Sequence, residues 1–151
     1  MKPMISKRSC RVAGFTLVEL MIAVAVAGVL SAAAVPSFEG HLQRARRADV
    51  LASMMQIQSA QERFRGNNAS YGSLAEIGVA AASLARHYQL QTAASGPQGY
   101  DAVAVATGLQ ARDAACRHMK LQSVGANLVY ASGPDPSVAN VATVNRRCWM
   151  L

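Results

Sequence analysis

The sequence predicts an α+β protein: a long N-terminal helix, apolar in its first half and amphipathic in its second, packed on a small antiparallel β-sheet head. Three observations carry this. Phe15 to Val35 is a run of 21 residues without lysine, arginine or aspartate. Apolar residues then recur at helical spacing as far as Phe64. From Tyr88 onward the period changes to two, in short runs separated by Gly- and Pro-bearing turns.

Taken in order, the chain starts with a basic leader. Lys2, Lys7, Arg8 and Arg11 stand in it with no acid among them. Removing these four from the fifteen basic residues leaves eleven against eight acids, so the rest carries only +3 of the formal +7. Most of the excess is a targeting signal rather than a nucleic-acid footprint. Basic residues before an apolar segment hold that end in the cytoplasm and send the remainder across. The head, about 115 residues after leader and span, is large enough for a modest core.

The apolar run, at about 1.5 Å per residue, is long enough to cross a hydrocarbon layer of about 30 Å. Glu19 interrupts it. A carboxylate at the centre of a membrane helix costs roughly 2.5–3.5 kcal/mol on insertion scales, and less near an end. One reading is an ordinary secretory signal cut after Ala34, since Ala32-Ala33-Ala34 supplies an A-x-A site. That would discard the run and release a soluble binding protein beginning at Val35. Against it stand Glu19 and a run longer than the usual 7–15-residue core of such signals.

Gly14-Phe15-Thr16-Leu17-Val18-Glu19 resembles the signature of the type IV pilin family: a short basic leader ending in glycine, then phenylalanine, with glutamate fifth in the mature chain. The resemblance implies cleavage between Gly14 and Phe15 by a membrane-embedded prepilin peptidase, and methylation of the new amino group of Phe15. It implies that the helix is kept and that Thr16 and Glu19 serve assembly, with Glu19 meeting the terminal amine of a neighbouring subunit. Gly28 and Pro36 fall where the family's filament-forming helices are weakened. Four residues from Phe15, Glu19 shares its helix face and suits the positive end of the helix dipole.

After Pro36, Phe38, Leu42, Ala45, Val50, Met54, Ile57 and Phe64 continue the helix as an amphipathic stretch, which Gly66-Asn67-Asn68 ends. Pro36 removes one hydrogen bond and should bend it. Arg44, Arg46 and Arg47 read as a solvated stripe or as ion pairs with a neighbour's acids such as Glu39 and Asp49, with a nucleic-acid or phospholipid contact as the alternative. The expected boundaries are leader 1–14, span 15–35, amphipathic continuation 36–67 and head 68–151.

In the head, residues 69–86 suggest an irregular connector with a short helix. Tyr88, Leu90 and Thr92 alternate with Gln89 and Gln91. Ser95–Gly99 reads as a turn, residues 100–107 place Val103 and Val105 on one face, and a third strand is expected over Cys116–Gln122. The Gly133–Pro136 stretch opens a returning C-terminal loop. Cys10 lies in the leader, and Cys116 and Cys148 in the head. With the leader gone these two form an even pair in a compartment that permits disulfides, or remain two buried thiols. A Cys116–Cys148 bond would pin the loop, resembling the disulfide-bounded C-terminal region of many type IV pilins, and the ending Cys148-Trp149 is most like minor pilins of the PilE-like kind. Trp149 is equally a core plug or a contact residue.

Enzyme motifs, phosphate loops and metal-ligand spacings are not found, and His41, His87 and His118 are scattered. No cofactor or metal is expected. Asn68-Ala69-Ser70 is a glycosylation sequon by pattern alone. The resemblance implies a structural subunit of a type IV pilus, of the minor kind, serving pilus biogenesis, adhesion, twitching motility or DNA uptake. Its implied partners are other pilin subunits through the N-terminal helix, prepilin peptidase and the inner-membrane assembly machinery. The implied location is the inner membrane of a Gram-negative bacterium, crossed once with the head in the periplasm, then the extracellular filament. Nucleic-acid contact is compatible but unsupported by the charge. A pseudopilin of a type II secretion system shares the N-terminal signature and is the alternative within the class.

Overall fold

The computed structural model describes residues 14–96, 98–138 and 141–150, with the backbone alone at 35–37. Residues 1–13 of the basic leader, Cys10 among them, and Pro97 lie outside the described residues. Contacts divide the chain into two units, 1–39 and 40–151.

Helix α1, Leu17–Arg65, is the first element. In the first unit its large apolar side chains, from Leu17 through Leu30, are exposed on every side. A helix apolar all round must be covered by a membrane or by other protein. The backbone is helical through 35–37, so Pro36 does not end the helix.

In the second unit the same helix turns one face to a core. Val50, Met54, Ile57 and Gln61 follow the i, i+4, i+7, i+11 rhythm of a buried stripe, and all are buried. Phe38, Leu42 and Ala45, from the earlier part of the apolar pattern, are exposed. Asn67 and Asn68 end the helix by donating side-chain amides to the carbonyls of Arg63 and Phe64, which α1 leaves without partners.

The connector contains turns over 74–78 among its described residues, in place of the expected short helix. Its alanines and glycines favour compact turns, held by Ser73 and Glu76: the Ser73 hydroxyl and N–H both donate to the Glu76 carboxylate at 2.7 Å.

Four strands follow: β1 Tyr88–Ala94, β2 Gly99–Ala106, β3 His118–Val124 and β4 Asn127–Gly133. They form an antiparallel meander in chain order. The sequence suggested three. The fourth comes from the two-residue turn Gly125-Ala126, where Gly125 takes φ +60° and Val124 pairs with Asn127. Val103 and Val105 do share a face of β2, but the fully buried face is made of Ala102, Ala104 and Ala106. Small side chains there leave room for Met54, Ile57, Tyr88 and Met119 in one core.

Cys116 belongs to the second of two 3-10 turns, Gly108–Arg112 and Ala114–Cys116, which precede β3. The C-terminal loop carries a helix, α2 Ala142–Trp149, ending in left-handed Met150. Its eight residues show barely two turns of periodicity, too little to mark a helix in the sequence.

Candidate functional site

The N-terminal motif takes its shape from Thr16. Gly14–Thr16 are non-helical and α1 starts at Leu17, which makes Thr16 the N-cap. Its hydroxyl accepts the Glu19 N–H at 3.2 Å, and its carbonyl accepts the Leu20 N–H at 3.2 Å. Thr-x-x-Glu is a capping-box spacing, legible in Thr16 and Glu19 but missed as such. The cap fixes Glu19 in the first helical turn, where the dipole favours a carboxylate. A Cβ placed on Gly28 would meet no other element within 4 Å among the described residues.

The head is fastened by a buried ionic network. Arg47 is 3% exposed and lies among core residues, contrary to the solvated stripe expected for the 44–47 cluster. Its Nε and Nη2 donate to the two carboxylate oxygens of Asp113 at 2.6 and 2.9 Å, and Nη1 donates to the Arg147 carbonyl at 3.1 Å. Gln110 donates to the same carboxylate at 3.2 Å and to the Tyr88 hydroxyl at 3.0 Å. The planar guanidinium fork makes this bidentate pairing possible. A partner 66 residues away in sequence has no local signature, so no pattern could have found it.

The Cys116–Cys148 disulfide, with Cα atoms 5.5 Å apart, joins the second 3-10 turn to α2. Helix α2 also covers the outer edge of the sheet. Asn145 donates to the Tyr130 carbonyl at 2.7 Å and accepts the Ser132 hydroxyl at 2.7 Å, and the Trp149 indole N–H donates to the Ala131 carbonyl at 3.3 Å. Trp149 is thus buried, its ring 4.9 Å from that of Tyr130. Carbonyls of consecutive strand residues point to opposite sides, so one of these two faces the open edge of β4, where α2 occupies a group that a foreign strand would otherwise use.

Burial pushes the hydroxyls of Tyr88 and Tyr100 up to about 12; the Gln110 hydrogen bond partly offsets this at Tyr88, and the Glu62 charge adds to it at Tyr100. Asp135 is held below the usual carboxylate range by the hydroxyl and N–H of Ser137. Among the described residues no group of histidines, cysteines and acids could hold a metal ion. The sequence-predicted residues therefore fall into two sets: Gly14, Phe15, Thr16, Glu19 and Gly28 on the exposed first unit, and Cys116 with Cys148 closing the second.

The geometry defines a class: a protein with, among the described residues, one helix long and apolar enough to cross a membrane, and a four-stranded α+β head closed by a disulfide. Comparison with known proteins narrows it. A family model described as "Type IV minor pilin ComP, DNA uptake sequence receptor" matches residues 36–120, and the prokaryotic N-terminal methylation motif matches residues 10–35. The major pilin PilA of Myxococcus xanthus is 34% identical over 93 residues, 61% of this chain and 42% of that protein. The major fimbrial protein FimA of Dichelobacter nodosus is 41% identical over 49 residues, 32% of this chain and 31% of FimA. Type II secretion system core protein G of Klebsiella pneumoniae is 31% identical over 58 residues, 38% of this chain and 41% of that protein. The matched stretch spans less than half the length of each of these relatives. The chain belongs to the type IV pilin family.

Proposed function

We propose that the chain is a structural subunit of a type IV pilus, of the minor kind, stored in the membrane through its apolar helix and then assembled into the fibre. The observation that carries this is the Gly14–Glu19 motif at the head of a helix whose large apolar side chains from Leu17 to Leu30 are exposed among the described residues. Prepilin peptidase cuts between Gly14 and Phe15 and the new amino group of Phe15 is methylated. Glu19, fixed by the Thr16 cap, then offers its carboxylate to the terminal ammonium of a neighbouring subunit. An unpaired charge in an apolar bundle is expensive, so this pairing selects one register between subunits. Gly28 and Pro36 give the helix the local weakness that packing into a fibre uses. Before assembly the chain sits in the inner membrane of a Gram-negative cell with the head in the periplasm.

The family model's description supports DNA as a ligand of the assembled head. The disulfide draws basic residues of two elements together: Arg117 follows Cys116, Arg147 precedes Cys148, and Arg112 and Arg146 lie close by in sequence. The likeness to secretion-system core protein G supports the pseudopilin alternative, but over 58 residues only.

The test is the intact mass and N-terminal residue of the protein from its own cells, followed by its amount in sheared fibres. A chain starting at N-methylated Phe15 and present in the fibres is expected, with Glu19→Ala processed normally but depleted from them. A chain starting at Val35 would overturn the proposal. For DNA, Arg146→Ala and Arg147→Ala should each flatten the salt dependence of binding by about one phosphate contact.

A further inference from the structure

The two edges of the sheet are guarded in different ways. Along β1 the connector lies against the strand as backbone: the Ser83 N–H donates to the Tyr88 carbonyl and the Leu90 N–H to the Ala81 carbonyl, both at 2.9 Å. Along β4 the cover is α2. The turn Gly125-Ala126 closes on the Val124–Asn127 pair, so Val129 and Ala131 bond to β3 while Leu128, Tyr130 and Ser132 present their backbone outward. Asn145 of α2 reaches this outer row at two points, the Tyr130 carbonyl and the Ser132 hydroxyl, each at 2.7 Å.

Such a guard is weakly formed on its own. Helix α2 has eight residues, against the roughly 12–15 that an isolated helix needs, and its N-cap, Val141, makes no side-chain bond. It is held by what it docks on: the Trp149 ring packs 4.9 Å from that of Tyr130, the Arg47 guanidinium donates to the Arg147 carbonyl at 3.1 Å, and Cys148 is bonded to Cys116. Of these the disulfide alone is covalent, and it returns α2 to its place whenever the weaker contacts open. The strand beneath, NLVYASG, has no charge and no proline and carries Leu128, Val129 and Tyr130 at its middle. An uncharged, β-prone strand of this length pairs with its own kind once its edge is open.

We propose that α2 is a guard, locked by the disulfide, that keeps β4 of one head from pairing with β4 of a second copy. With α2 undocked the two strands run antiparallel about a two-fold axis at Tyr130, Leu128 facing Ser132, and merge two four-stranded sheets into one continuous sheet. Tyr130 then exchanges N–H and carbonyl with its counterpart, the carbonyl being the one that Asn145 holds in the closed head. The pairing excludes α2, so it belongs to heads without the bond and is not a contact between finished subunits. The inference rests on the head alone and stands apart from the filament-subunit reading, which the sheared-fibre assay tests.

The probe is a fluorescein-labelled peptide of the β4 sequence, NLVYASG, and the readout is its anisotropy on the full chain in non-ionic detergent. The oxidised protein should bind it least. Cys116→Ser with Cys148→Ser should bind it about tenfold more tightly or better, since apparent affinity follows the fraction of heads whose edge is open. In this double variant Trp149 emission should move to the red and amide exchange in α2 should quicken, while β2 and β3 stay protected. Asn145→Ala keeps the disulfide and should bind between the two, which covers the case of a double variant that fails to fold. Val129→Lys added to the double variant puts a charge on the edge strand and should abolish binding with Trp149 still exposed. Equal binding by the oxidised protein and both opened variants, undiminished binding after Val129→Lys, or Trp149 emission unmoved by loss of the bond would each overturn the proposal.

Discussion

Removing the carboxylate of Asp113 should destabilise the head more than removing both members of its ion pair. The side chains of Arg47 and Asp113 are 4% and 1% exposed, so neither charge retains water to fall back on. Asp113→Ala deletes the acceptor of two guanidinium bonds, at 2.6 and 2.9 Å, and strands a buried cation whose remaining bond is to the Arg147 carbonyl. Losing one partner of a buried pair costs about 3–5 kcal/mol. For a head of this size that corresponds to a fall in melting temperature on the order of 10–25 °C. Arg47→Met together with Asp113→Ala removes the stranded charge and keeps much of the stem's packing, so the double variant should recover part of the loss. The cost that remains is about 1 kcal/mol for the orphaned Arg147 carbonyl, plus any packing defect. The assay is urea unfolding of the full chain in detergent, followed by fluorescence of Trp149, the single tryptophan, which sits on α2. If the two single losses simply add in the double variant, within about 0.5 kcal/mol, the pair is not the coupled unit described above and the reasoning fails.

Three further outcomes can be checked in the same assay. Gly99→Ala would place a Cβ 2.5 Å from the Ser123 carbonyl oxygen, a backbone atom that cannot step aside, and should cost about 1–3 kcal/mol through displacement of β2 from β3. Cys116→Ser with Cys148→Ser opens a loop spanning 32 residues and should cost about 3–4 kcal/mol on the chain-entropy relation; an unchanged urea midpoint would mean that the native bond is strained or the unfolded state structured. Tyr88 and Tyr100 titrate near 12 in the folded head against 10.0 for the free side chain, so between those values the folded state holds protons that the unfolded state has lost. Stability should be unaffected by these groups below pH 10 and fall as pH rises from about 10 to 12. Tyrosinate absorbance that appears fully at pH 10 without unfolding would contradict this.

The parts of the molecule legible in advance were those with short-range grammar. The apolar run from Phe15, the buried stripe Val50, Met54 and Ile57, the stop at Gly66–Asn68 and the first two strands all repeat at a fixed period or carry a local breaker, and each is present. What escaped depended on distance or on small residues. Arg47 looked like one of three solvated arginines because its partner lies far along the chain in a 3-10 turn. The inner face of β2 was obscured because alanine, not valine, is the residue that fits beneath a helix. β4 was passed over because its pairing hangs on the two-residue turn Gly125-Ala126, a weaker signal than Asn-Gly. In the N-terminal motif, Glu19 attracted notice as a misplaced charge, while the Thr16 hydroxyl that anchors its backbone went unread.

The meander bears on the order in which the head can be built. Every strand pairs with the next strand in the chain, so hairpins close one after another with little loop entropy to overcome. In the folded head Cys148 stands beside Cys116 because α2 packs on β4 and on the 3-10 turn that leads into β3. The disulfide accordingly ties the C-terminal helix to the start of β3 by a covalent tether, and a thiol-trapping reagent would separate heads that carry this tie from heads that do not.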